Sequence, residues 1–187
     1  MASARERLVD TAEALFYARG ITATGVDTVV REAGVSKPTL YAHFGSKGEL
    51  VAAVLAERHA RRSEELRAWV ARVEDPRERP PAVFDYLARW YEREGGRGCA
   101  FLNAAAELTG DGDPGREPVV AEKRWLLELF AELGREARLQ DADRLASQLL
   151  LLVDGVSGRV VVHGPPAARE AIADARRAAA LLIAAAS

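Results

Sequence analysis

The sequence has little with which to build a disulfide, a metal cage or a sheet. Cys99 is the single cysteine among 187 residues, which excludes an intramolecular disulfide and a multi-cysteine zinc site. The three histidines, His43, His59 and His163, are scattered and never take the H-E-x-x-H spacing that puts two zinc ligands on one helix face. No glycine-rich phosphate cradle with its lysine is present, and runs of alternating β-branched residues are scarce. Neither sign of charge dominates: 26 Lys+Arg stand against 28 Asp+Glu, net −2. That balance excludes a broad basic surface of the histone kind but leaves room for one small basic patch. Apolar runs such as residues 149–153 fall far short of the roughly 20 residues that span a bilayer, and Glu6 and Asp10 interrupt any secretory h-region. Together with the lone thiol, these absences predict a soluble protein of the reducing cytoplasm, with no metal, no cofactor and no membrane partner.

Helix formers fill the chain instead. The apolar share is 49% and the charged share 29%, a globular composition, and Ala, Leu, Arg and Glu dominate. An all-α chain of about nine helices is predicted. Three capping boxes punctuate the first fifty residues: Ser3 with Glu6, Thr24 with Asp27, and Ser46 with Glu49. In each, the hydroxyl can satisfy an orphan amide while the carboxylate reaches back. The first helix is expected over residues 3–19, burying Leu8, Ala12, Leu15 and Phe16, with Gly20 as its stop. The second follows Thr24, turns Val26, Val29, Val30 and Ala33 inward, and ends at Gly34. The third follows Ser36, with Pro38 tolerated in its first turn. A long fourth helix starts after Ser46 and is broken by Asp75-Pro76. Further helices are expected around Val83, Leu87 and Trp90, and over residues 101–108, 117–138, 141–163 and 167–186. Loops are expected at 95–98, 110–115 and 164–166.

Residues 24–50 read T-G-V-D-T-V-V-R-E-A-G-V-S-K-P-T-L-Y-A-H-F-G-S-K-G-E-L. A helix, a tight turn at Gly34-Val35-Ser36 and a second helix of about two turns make a helix-turn-helix by spacing. In the second helix Leu40 and Phe44 lie four apart and can pack down. Lys37, Thr39, Tyr41 and His43 are left as hydrogen-bonding surface, which suits a major groove. Lys47 opens the next helix, where its ammonium and the helix N-terminus both favour a phosphate.

This stretch resembles the DNA-binding domain of the TetR family of bacterial transcriptional regulators, most closely in the G-V-S-K-P-T-L-Y-A-H-F-G-S-K-G-E-L run at 34–50, over about residues 5–55. The resemblance implies a DNA-binding domain over residues 1–50 and a helical ligand-binding and dimerisation domain over 51–187. Ser36, Lys37, Pro38, Thr39, Tyr41 and His43 then fall on or at the start of the recognition helix. Tyr41 and Lys47 match phosphate-contacting positions, and Thr24 and Thr28 would line the duplex. Ala42 stands where many relatives carry a larger side chain, so reading there is expected to be apolar. Residues 1–50 hold six basic side chains (Arg5, Arg7, Arg19, Arg31, Lys37, Lys47) and six acidic ones (Glu6, Asp10, Glu13, Asp27, Glu32, Glu49). A single neutral head contacts few phosphates, so a homodimer on a palindromic operator is expected, its recognition helices about 34–36 Å apart.

Beyond residue 55 the resemblance thins to architecture and the segment R-G-C-A-F-L-N at 97–103. A small, largely apolar ligand is expected among Trp69, Phe84, Leu87, Trp90, Phe101, Asn103, Glu107 and Trp125, since pockets pair apolar walls with a few polar groups; the same stripe also reads as ordinary core. Cys99 reads first as a small buried hydrophobe and second as a thiol sensor. The dimer interface is expected on the last two helices, at Leu145, Leu149, Leu152, Val153, Val156, Val160, Ile172, Leu182 and Ile183, because a helix apolar that far round needs several partners. The expected function is a ligand-responsive regulator, a repressor by preference. The alternatives are a regulator without a small ligand and, a distant third, a helical enzyme. Asp154, Ser157 and His163 suggest a hydrolase, but G-V-S-G-R lacks the second glycine of G-x-S-x-G. Asp111 and Asp113 suggest a calcium loop, but Arg116 stands where its glycine belongs.

Overall fold

A computed structural model describes every residue except Met1, Gly95 and Asp111. Among the described residues the chain forms α1 (Ala4–Arg19), α2 (Val26–Ala33), α3 (Lys37–His43), α4 (Lys47–Val70), α5 (Arg79–Glu94), α6 (Ala100–Glu107), α7 (Arg116–Glu136), α8 (Ala142–His163) and α9 (Ala168–Ala185). Two short 3-10 turns, Pro76–Glu78 and Pro165–Ala167, complete it. The all-helical expectation holds. The expected loops at 95–98 and 110–115 each contain one residue, Gly95 and Asp111, outside the described set.

The caps explain the first boundaries. Ser3 and Glu6 form the full reciprocal box before α1, and Ser3 holds the Glu6 carboxyl below its ordinary pKa through hydrogen bonds to that carboxylate. Ser46 Oγ accepts from the Glu49 amide at 3.1 Å, while the Glu49 carboxylate takes the Gly45 N–H at 3.0 Å, one residue earlier than a strict box. The Thr24–Asp27 box does not form. Gly25 is the N-cap of α2, without a side-chain cap, and the Thr24 hydroxyl donates instead to the Gly20 carbonyl at 2.7 Å. Asp27 faces Lys37, 2.9 Å away. Gly34 closes α2 in the left-handed region, φ 63°, which glycine enters at no steric cost.

The chain divides into two compact units. The first contains residues 1–61 and 100–122. Its buried side chains include Leu8, Val9, Leu15 and Phe16 of α1, Val29 of α2, Leu40 of α3, and Leu50, Val51 and Val54 of α4. Glu13 of α1 ties this packing to α4 through Arg58 at 2.6 Å and Arg61 at 2.7 Å. His59 of α4 meets the fully buried Glu122 of α7, Nδ1 to Oε2, at 2.5 Å. A buried carboxylate needs such a partner.

The second unit contains residues 62–99 and 123–187. Its core runs from Leu66 and Val70 through Val83, Phe84 and Leu87 to Leu126, Phe130, Leu149, Val153 and Ala179. α9 packs on both α8 and α5. The Gln140 amide donates to the Ala186 carbonyl at 2.7 Å, fastening the end of α9 beside the turn that leads into α8. Gly98, at φ 70°, passes so close to α8 that an added Cβ would stand 2.8 Å from the Ser157 carbonyl oxygen. Short apolar runs understated α8: taken whole, it is long and apolar enough by length and composition to cross a membrane. Its buried face packs into this unit's core instead.

Candidate nucleic-acid interface

α3 is a short helix with a sharp division of labour. Leu40 is fully buried and Phe44, which caps its C-terminal end, nearly so. Each such burial contributes about 1.5–3 kcal/mol, enough to fix a two-turn helix that propensity alone would leave unformed. Ser36 starts it, its Oγ accepting the Thr39 amide at 3.2 Å and lying 2.7 Å from the Thr39 hydroxyl. Pro38 occupies the first turn. Lys37, Pro38, Tyr41, Ala42 and His43 are exposed, Tyr41 at 47%. Thr39, and Thr28 on α2, are half-buried. This face offers an ammonium, a phenol, an imidazole and a methyl group, the inventory that reads base edges and phosphates.

The turn between α1 and α2 is fastened from several sides. Gly20 lies at φ 93°, a conformation that favours glycine. The Glu107 carboxylate of α6 takes the Thr22 N–H at 2.7 Å and packs against Gly20. Lys47, expected on a phosphate, donates here to the Ile21 carbonyl at 2.6 Å, which leaves two of its three N–H donors for other partners. Thr24 departs from the expected duplex-facing set: it is 1% exposed, with its hydroxyl committed to this turn.

The residues expected around a ligand are shared between the two units. Phe84, Leu87 and Trp90 are enclosed in the second unit's core, with Trp69 and Trp125 half-buried against it. Phe101, Asn103 and Glu107 lie on α6 in the first unit. Glu107 serves the α1–α2 turn, and Cys99, just before α6, is buried.

The expected dimer residues are mostly occupied within the protomer. Leu145, Leu149, Val153, Val156, Val160, Ile172 and Ile183 are buried, and Leu152 and Leu182 are half-buried. The face left outward on α8 carries Leu151, Gly155, Gly158 and Val162. These follow one another at spacings of four, three and four, one stripe of a helix. Leu151 is 69% and Val162 74% exposed. α9 repeats the pattern with Ala173, Arg177, Ala180 and Ala184, beside Leu181 at 74% exposure. Gly155 and Gly158 each cost the helix about 1 kcal/mol relative to alanine, and they lie on this outward side.

Among the described residues the side chains of the enzyme alternative are engaged elsewhere. Ser157 is buried and bonded to Tyr91 and to the Val153 carbonyl, and Asp154 pairs with Lys123. Asp113 accepts the Gly115 amide at 2.9 Å, while Asp111 of the supposed calcium loop lies outside the described residues. No cluster that could hold a metal occurs among the described residues.

Residues 8–54 match the family described as bacterial regulatory proteins, tetR family. A crystal structure of a TetR-type regulator from Streptomyces avermitilis is 34% identical, with 87% of this chain and 88% of that one aligned at a TM-score of 0.74. This chain belongs to the TetR family. A second TetR-family regulator, from Streptomyces coelicolor, is 28% identical and aligns over 98% of this chain and 96% of its own at a TM-score of 0.88. Among curated sequences, the transcriptional activator FasR of Mycolicibacterium smegmatis is 51% identical over 55 residues, 29% of this chain; the match spans only 25% of FasR's own length. These relatives are transcriptional regulators, not enzymes.

Proposed function

We propose that this TetR-family protein acts as a homodimeric, sequence-specific DNA-binding repressor that leaves a palindromic operator when a small molecule binds it. The carrying observation is the surface of α3: Leu40 and Phe44 hold the helix down while Lys37, Tyr41, Ala42 and His43 stand outward. Residues 1–50 form the DNA-binding part, with Ser36, Lys37, Pro38, Thr39, Tyr41 and His43 in the major groove and Thr28 and Lys47 beside it. Residues 51–187 sense and dimerise.

A neutral head needs a second copy, since each phosphate contact adds to affinity. The outward stripes of α8 and α9 supply the means, and small residues let two backbones approach closely. Leu151, Gly155, Gly158, Val162, Leu181 and Ala184 thus replace the buried leucines and valines as the interface. The effector acts by binding one dimer geometry better than the other, which alone can shift such an equilibrium.

The test begins by selecting a binding duplex from a random-sequence pool and placing it before a reporter. The proposal predicts an inverted repeat, two protomers per duplex and repression relieved by an effector. A single half-site bound by one protomer at equal affinity contradicts it.

A further inference from the structure

An open groove of about 350 Å³ runs between α4 and α5 on the second unit, within the size range of small-ligand sites. Its lining includes Glu65, Trp69, Arg72, Tyr86, Arg89 and Arg93. Trp69 and Tyr86 present tilted rings 6.4 Å apart. Both rings are fixed: the Trp69 indole N–H donates to the Ala82 carbonyl at 2.9 Å, and the Tyr86 hydroxyl donates to Glu65 at 3.2 Å. Burial, and then the Glu65 charge, push the Tyr86 phenol up to about 12, so it stays a neutral donor at any ordinary pH.

The charges in the groove do not balance. Its one carboxylate, Glu65, is matched by Arg93 at 3.2 Å. Arg72 and Arg89 have no carboxylate within ion-pair distance among the described residues. Arg89 lies over the Trp69 ring, 5.0 Å from its centroid. The other two tryptophans are similarly covered, Trp90 by Arg62 and Trp125 by Arg67. A ring face already occupied by a guanidinium is a poor cage for a cationic ligand. An aromatic wall beside two unmatched guanidiniums instead suits a flat ring bearing a negative group, packed beside the Trp69–Tyr86 pair and held by bidentate hydrogen bonds.

We infer that the α4–α5 groove is a binding site for a planar aromatic carboxylate, with the Trp69–Tyr86 pair as its aromatic wall and Arg72 and Arg89 as the carboxylate clamp. This stands whether or not occupation moves the operator. Calorimetry on the full-length protein without DNA tests it, using 1-naphthoate, its uncharged amide and a naphthyl trimethylammonium cation. Naphthoate is expected to bind once per protomer, the amide about tenfold more weakly, the difference one charge-assisted contact makes, and the cation not detectably. Arg72→Gln and Arg89→Gln should each weaken naphthoate about tenfold while leaving the melting temperature and the amide's affinity unchanged. Equal affinity for the three probes, naphthoate binding unmoved by both substitutions, or no naphthoate binding at millimolar concentration each overturns the inference. Because DNA is absent, any of these outcomes leaves the operator reading to its own test.

Discussion

α3 turns Leu40 inward and leaves an ammonium, a phenol and an imidazole outside. α8 turns Leu145, Leu149, Val153, Val156 and Val160 inward and still has Leu151, Val161 and Val162 left over. A helix whose surplus is polar can wait in water for a charged partner. A helix whose surplus is apolar is incomplete until another apolar face covers it. On the proposed function the two surfaces take different partners, DNA for the first and a second copy of the chain for the second.

Separating the inward and outward faces of α8 gives the largest effects. Leu149→Ala, at a fully buried site, should lower the unfolding free energy by about 2–5 kcal/mol, read by chemical denaturation. Leu151→Glu, on the exposed side of the same helix, should leave the protomer folded yet yield monomers by sedimentation. Its operator affinity should fall on the order of a hundredfold, the scale of losing one of two half-site contacts. Equal loss of stability in both variants would break the distinction between the faces.

The polar surface predicts a subtler change. Lys47→Ala should reduce the slope of log affinity against log salt by about one per protomer, measured by fluorescence anisotropy across a salt series. An unchanged slope would assign Lys47 to the Ile21 carbonyl alone. The smallest expected effect lies at the start of α1. Ser3→Ala should cost about 0.5–2 kcal/mol, the usual cost of a lost cap. Because Ser3 holds the Glu6 carboxyl below its ordinary value, that carboxylate stabilises the fold above the ordinary carboxylate pKa. It loses its contribution as pH falls through the lowered folded value. Ser3→Ala should therefore shrink the acid-dependent part of the melting curve.

α3 was legible because it has contrast: two apolar residues four apart among polar ones leave one possible orientation. The helix order was legible for the same reason, through glycines and caps at the boundaries. Thr24 was misread because its sequence neighbours mimic a capping box, whereas its hydroxyl closes the preceding turn on Gly20. The outward side of α8 was not legible because leucines and valines surround the helix, so hydrophobicity carries no direction; Gly155 and Gly158 lie on that side. Glu107 lay beyond local pattern altogether, since its partner, Thr22, is 85 positions away.

The most direct test of the account is the mass of the complex formed on a selected operator duplex, measured by sedimentation equilibrium for the native chain and for Leu151→Glu. The account predicts two protomers on the intact inverted repeat for the native chain and markedly weakened occupancy for the variant, with α3 unaltered. Native-like assembly and affinity in Leu151→Glu would contradict it.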